Sequence, residues 1–365
     1  MLHVNNLARR IARHRLLIDG AVRRVFDSGW FVLGPEVTGF EAKFAAYIGC
    51  RHGIGVANGT DALRIALLAG GIGPRDGVAT AANAGMYATI AILGAGAAPV
   101  FMDVDAQTHC VGLAEVERAV ASGAKAVIAT YLYGHGIRDI AAIADYCRGR
   151  GVLLIEDCAQ AHGAKIDGRH AGSFGNASCF SFYPTKNLGG TGDGGAIVSD
   201  DEAFAAKARR LRQYGWSSKY TVELPNGSNS RLDELQAAVL SALLVHLDAD
   251  NARRRAIAGR YSGEITASLS LPPTPEIADV AHLYVMRVPA GRDSLRKHLE
   301  KNGVGSDIHY PVPDHRQPVF GRQFVHISLP VTERLAGEVL TLPCFPEITD
   351  EEVGHVIDVV NGWTP

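Results

Sequence analysis

Residues 177–200, ASCFSFYPTKNLGGTGDGGAIVSD, set two short apolar runs, 177–182 and 195–200, on either side of a glycine-rich loop that holds one lysine, Lys186. Runs of this length, bounded by turn residues, predict strands. Pro184 gives the loop a non-helical entry, and Gly189, Gly190, Gly192, Gly194 and Gly195 allow it to lie close against other backbone. A lysine held there is partly desolvated, which lowers its pKa and frees a neutral amine for Schiff-base chemistry. The competing reading is a solvated surface lysine, the usual fate of that residue. Ser181, at the end of the first strand, offers a hydroxyl to the same place.

Upstream, further Val- and Ile-rich runs at 53–58, 77–82, 98–104, 124–132 and 151–157 alternate with alanine-rich helical segments near 60–70, 86–95, 113–121 and 138–149. Another helix is expected at 201–213. This alternation predicts an α/β fold with a mostly parallel sheet covered by helices. From Ser230 the apolar residues fall at three- and four-residue spacing, which predicts one long linking helix. Beyond it, a strand at 283–289, a helix at 292–303 and a last helix from Thr349 predict a small α+β unit. Residues 1–245 are therefore expected to form a large domain and 246–365 a small C-terminal one, with the amphipathic N-terminal helix free to pack against the latter.

The chain has 365 residues, with 36 Lys and Arg against 38 Asp and Glu. The resulting net charge of −2 removes the electrostatic argument for nucleic acid or a membrane surface. The N-terminal segment lacks the unbroken apolar core of a signal peptide or spanning helix. Six scattered cysteines form no metal-like spacing and read as reduced thiols of a cytoplasmic protein. No metal is expected.

In an open parallel sheet, ligands bind beyond the carboxyl ends of the strands. Gly59 and Thr60 follow the first strand and open a helix, a ready site for a phosphate, although Asn58, Thr60 and Asp61 also make an ordinary cap. Asp157 ends another strand; a carboxylate there is costly unless it meets a cation such as a protonated heterocyclic nitrogen, or else it caps the next helix with Gln160 and His162 as loop residues. GGTGDGG lacks the GK[ST] ending of a P-loop and lies far from the first strand-turn-helix unit, so a nucleotide-loop reading is set aside.

Three segments, EDCAQAHGA (156–164), SFYPTKNLGGTGDGGAIVSDD (181–201) and NSRLDELQAAVL (229–240), occur in an order and spacing that resembles the DegT/DnrJ/EryC1/StrS sugar aminotransferases. The likeness runs from FVLGPEVTGFEAKFAAYIG (31–49) to LTLPCFPEITDEEV (340–353). It implies the type I fold of pyridoxal 5′-phosphate (PLP) transferases, a seven-stranded sheet, and aminotransferase activity of the EC 2.6.1 class. Lys186 then matches the lysine that bonds to PLP and moves the substrate proton, and Asp157 the acid that keeps the pyridinium protonated. Gln160 matches an amide at the ring oxygen, with His162 close by; Gly59, Thr60 and Ser181 match the phosphate cradle.

Asn229 matches a residue reaching that phosphate from the neighbouring subunit, which implies a homodimer with shared active sites and places Arg231 at the same contact. One departure concerns the aromatic residue that usually covers the cofactor ring. Here the segment reads NAGMYAT (83–89), so Tyr87 supplies the ring through a shifted turn or Met86 packs there instead; Tyr87 is assigned. The segment IHYPVPDHRQP (308–318) is similar to that of members acting on 3-keto nucleotide sugars, which places His309 and Tyr310 near the sugar, unless they only pack the two domains together. The implied reaction passes an amino group from L-glutamate or glutamine to a dTDP- or UDP-linked 3-keto-6-deoxyhexose. Alternatives are a 4-keto nucleotide sugar, a cyclitol ketone, a sugar attached to a natural product, or a protein that binds PLP without catalysis.

Overall fold

The computed structural model describes residues 1–364. The chain opens with α1 (Leu7–Ser28) and α2 (Pro35–Ile48), and then alternates: β1 (His52–Val56), α3 (Gly59–Ala69), β2 (Gly77–Ala81), α4 (Tyr87–Gly94), β3 (Ala98–Met102), α5 (Leu113–Ala121), β4 (Ala124–Thr130), α6 (Ile140–Arg150) and β5 (Leu153–Asp157). A small hairpin, β6 (Lys165–Ile166) and β7 (Arg169–His170), precedes β8 (Ala177–Ser181) and β9 (Gly195–Ser199). The strands form a seven-stranded sheet in the order β1-β9-β8-β5-β4-β2-β3. Its pairings are parallel except for the two made by β9, which runs antiparallel to β1 and β8. Both faces of the sheet are covered, so its strands are apolar nearly throughout.

After α7 (Glu202–Leu211) and a short hairpin, β10 (Trp216–Ser218) and β11 (Thr221–Val222), the expected single linking helix is instead two: α8 (Glu234–Leu244) and α9 (Leu247–Glu264). Their burial explains the break. Leu240, Leu243 and Leu244 belong to the core of the large sheet, whereas Ile257, Ala258 and Tyr261 belong to a separate core, so the helix axis has to change direction between them. Val245, at the break, is exposed. Asp248 and Asp250 in the first turn of α9 suit a new helix start, a signal that the apolar periodicity masked.

The second core is completed by β12 (Tyr284–Arg287), α10 (Arg292–Lys301) and α12 (Asp350–Asn361), together with β13 (Val339–Leu342), which follows α11 (Pro330–Glu338) and pairs antiparallel with β12. Strand β13 had no counterpart among the expected elements. Thr349 caps α12 with a full capping box, its hydroxyl accepting from the Glu352 amide at 3.1 Å. The N-terminus joins this region: Leu2 bridges Val304, and Arg9 pairs with Glu352 at 2.6 Å. Among the described residues no helix is long and apolar enough to cross a membrane, and all six cysteines are free thiols.

Candidate active site

A cavity of about 780 Å³ opens beyond the carboxyl ends of β1, β4, β5 and β8. Its wall includes Gly59, Thr60, Tyr87, Asp157, Gln160, Ser181, Lys186, His309 and Tyr310.

One end of the cavity is the start of α3. Asn58 caps the helix by accepting from the Asp61 amide at 2.8 Å, which leaves the amides of Gly59 and Thr60 as the remaining first-turn donors. A Cβ on Gly59 would lie 2.7 Å from the Ser181 Cβ, so glycine is needed for the serine hydroxyl to sit beside that helix start. Two amides, a hydroxyl and the positive end of a helix dipole form a cradle suited to a phosphate.

At the floor, Asp157 is buried with few donors: the Ala159 amide at 3.1 Å and the Thr130 hydroxyl at 3.4 Å. Burial raises its pKa, against the lowering effects of these hydrogen bonds and of the positive charge on Lys186. Lys186 projects into the same cavity from a loop fixed by its own backbone, Lys186 N to Tyr183 O at 2.8 Å and Gly190 N to Phe182 O at 2.8 Å. Helix α1 clamps that loop from outside, where Arg10 donates to the carbonyls of Pro184 at 3.0 Å and Gly189 at 2.7 Å. The lysine is half-buried, and desolvation lowers its pKa to about 8 despite the opposing pull of Asp157.

Gln160 is oriented by its partners. Its Oε1 accepts from the Tyr133 amide at 2.6 Å, so its Nε2 is the atom that donates to the Tyr310 hydroxyl at 3.2 Å. Tyr310 in turn needs Gly85, where a Cβ would meet the Tyr310 ring at 2.9 Å. Tyr87 lies edge-on to Tyr310, with ring centroids 6.1 Å apart, and is 51% exposed on the cavity side. Met86 takes the left-handed N-cap position of α4 and is not part of the cavity wall, so of the two residues it is Tyr87 that faces the site. His309 anchors to the Thr341 hydroxyl at 2.8 Å, which holds it at the junction with the second core.

His162 corrects the sequence expectation. It is fully buried between Phe180 and Phe182, at centroid distances of 5.4 and 5.8 Å, and does not line the cavity. Burial, reinforced by Lys186, pushes its pKa down to about 3, so it is a neutral core residue rather than a substrate contact. Asn229 and Arg231 also lie outside this chain's own cavity. Asn229 is exposed, and Arg231 lines a second cavity of about 500 Å³ with Arg209, Arg210, Trp216 and Lys219.

His282 lines the main cavity and was not singled out from the sequence. Its one sequence signal is its place immediately before the run LYVMRVP, at the mouth of a strand rather than at its carboxyl end.

The sequence profile of the DegT/DnrJ/EryC1/StrS aminotransferase family matches residues 15–361, and the chain belongs to that family. It is 42% identical over 349 residues to the dTDP-3-amino-3,4,6-trideoxy-α-D-glucose transaminase of Streptomyces venezuelae, covering 94% of this chain and 91% of that one. It is 42% identical over 353 residues to the dTDP-3-amino-3,6-dideoxy-α-D-galactopyranose transaminase of Aneurinibacillus thermoaerophilus, covering 96% of each. The crystal structure of S. venezuelae DesV in complex with a ketimine intermediate matches with a TM-score of 0.94 at 40% identity, over 99% of this chain and 98% of that one.

Proposed function

We propose that the chain is a PLP-dependent aminotransferase that passes nitrogen from L-glutamate or glutamine to a nucleotide-linked 3-keto-6-deoxyhexose. The observation that carries the reading is the shared cavity of Lys186 and Asp157, one a lysine with a lowered pKa and the other a buried acid short of partners. Both fit the cofactor. A pyridinium nitrogen would give Asp157 a cation in direct contact, and the cradle of Gly59, Thr60 and Ser181 would take the phosphate. Gln160, through its amide nitrogen, would hold the ring oxygen, Tyr87 would flank the ring, and Lys186 would be the covalent anchor. Bound there, PLP supplies the electron sink that amino transfer requires.

With a pKa of about 8, the Lys186 amine is poised to hold or release a proton near neutral pH, the property needed to move one at the substrate carbon. The walls formed by Tyr310 and His309 restrict water at that point. His309 and Tyr310 stand where a sugar enters, and both dTDP-sugar relatives carry 3-amino products in their names. The wall contains no arginine, and Lys186 is its one lysine among the described residues. A diphosphate therefore calls for cations from elsewhere, which favours a homodimer in which Asn229 and Arg231 of a second copy complete the site, in the cytoplasm.

Purified protein loaded with PLP is expected to absorb in the visible and to bleach on addition of glutamate. Turnover should be faster with a 3-keto than with a 4-keto dTDP sugar. A protein that stays colourless after reconstitution would sink the assignment, and preference for the 4-keto sugar would overturn the regiochemistry. Lys186→Ala is expected to bind PLP non-covalently and to lose turnover by roughly 10²–10⁴-fold.

A further inference from the structure

His282 is held by a chain of hydrogen bonds that leaves its protonation no freedom. Asn187, the residue after Lys186, donates from Nδ2 to the Val280 carbonyl at 3.1 Å and to Asn251 Oδ1 at 2.8 Å. Asn251 donates from Nδ2 to the His162 carbonyl at 2.7 Å. A backbone carbonyl only accepts, so the nitrogen end of each amide is fixed, and the oxygen of Asn187 is the atom that faces His282 Nδ1 at 2.9 Å. An oxygen facing a ring nitrogen requires that nitrogen to be the donor. His282 therefore carries its hydrogen on Nδ1, and its Nε2 presents a lone pair.

That lone pair has no hydrogen-bond partner among the described residues, while the ring lines the cavity that holds Lys186. The Lys186 ammonium likewise makes no side-chain hydrogen bond there. The charged and titratable groups that act most strongly on the imidazole are Lys186, Arg254, His162 and His309. Arg254 donates to the His282 carbonyl at 3.2 Å, which pins the backbone. Burial, followed by the charges of Lys186 and Arg254, keeps the ring from taking a second proton.

We propose that His282 is a positioning residue of fixed tautomer, whose Nε2, unpaired like the Lys186 amine, accepts a hydrogen bond from that amine while the lysine moves the substrate proton during turnover. This rests on the aminotransferase reading of the cavity. Asp157 attracts the lysine by charge but is committed to the cofactor ring. His282 offers direction without competing for the proton, because a neutral imidazole this resistant to protonation orients the amine and leaves its basicity for the substrate carbon.

The test begins with the apoprotein labelled with ¹⁵N-histidine. Imidazole nitrogen shifts should show His282, assigned by the signal lost in His282→Gln, as the neutral Nδ1–H tautomer from pH 6 to 9. An Nε2–H tautomer, or an imidazolium at pH 7, overturns the proposal whether or not the protein proves to be an aminotransferase. In the PLP-loaded enzyme, His282→Phe keeps a ring and removes the acceptor; its kcat should fall about tenfold or more at unchanged cofactor absorbance. His282→Gln supplies both a donor for Asn187 and an acceptor for Lys186, and should recover most of that loss. An unimpaired Phe variant, or a Gln variant no better than Phe, contradicts the role. If the Phe variant does not fold, the tautomer measurement on the wild-type protein still decides. Failure to bind PLP would strike the aminotransferase reading alone.

Discussion

Glu156 and Asp157 are adjacent acids at the end of β5, and alternation along the strand sends them to opposite faces of the sheet. Glu156 is completely buried and fully answered: it accepts from the Tyr131 hydroxyl at 2.5 Å and from the amides of Gly172, Phe174 and Gly175 at 2.7–2.8 Å. Asp157 has one amide and one distant hydroxyl. Burial raises the pKa of both, against four hydrogen bonds at Glu156 and two hydrogen bonds with the charge of Lys186 at Asp157. The first acid organises the loop at 172–175, and the second, with two donors and the nearby charge of Lys186, keeps accepting capacity for the pyridinium of the proposed cofactor. Two residues of like chemistry thus divide structure from function by the number of donors aimed at them.

Substitutions can break this contrast, and the largest effect is expected at Asp157. Asp157→Asn should cost roughly 10²–10⁴-fold in kcat, while the thermal midpoint of the apoprotein stays level or rises because a poorly compensated buried charge is gone. Retained rate with lost stability would reverse the assignment of the two acids. Glu156→Gln comes next. An amide nitrogen cannot accept from the loop, so one buried donor is orphaned, and urea denaturation should show a loss of about 1–3 kcal/mol with PLP affinity preserved.

The remaining effect is a slope. Lys186 has a folded pKa of about 8, below the ordinary 10.5, so the unfolded chain binds its proton more tightly. Apoprotein stability should therefore rise with pH between about 8 and 10.5, by at most about 1.4 kcal/mol per pH unit. Lys186→Met should remove that rise and be the more stable protein below pH 8. Parallel stability curves for the two proteins would show that the lysine is not desolvated.

The contrast also marks how far the sequence could be read. The seven strands were legible because parallel strands buried on both faces are short apolar runs with turn residues at their ends. Lys186, Asp157 and Ser181 were legible because each stands at a strand end or in a glycine loop. Glu156 gave no such sign: its donors come from a loop more than a dozen residues away, and local pattern carries no record of them. His162 misled for the same reason, since a polar residue after a strand reads as solvated until Phe180 and Phe182 fold over it. His282 was silent because it precedes its strand. The division of the linking segment into α8 and α9 depended on two cores competing for one helix, which periodicity alone does not resolve.

The N-terminal clamp bears on how the protein comes into being. Residues 2–10 are made before the segments they secure: Arg10 holds carbonyls of Pro184 and Gly189, Leu2 bridges Val304, and Arg9 pairs with Glu352. Helix α1 therefore cannot complete these contacts until the chain has been extended through Glu352. The lysine loop thus gains its outer clamp from a helix made about 175 residues before it.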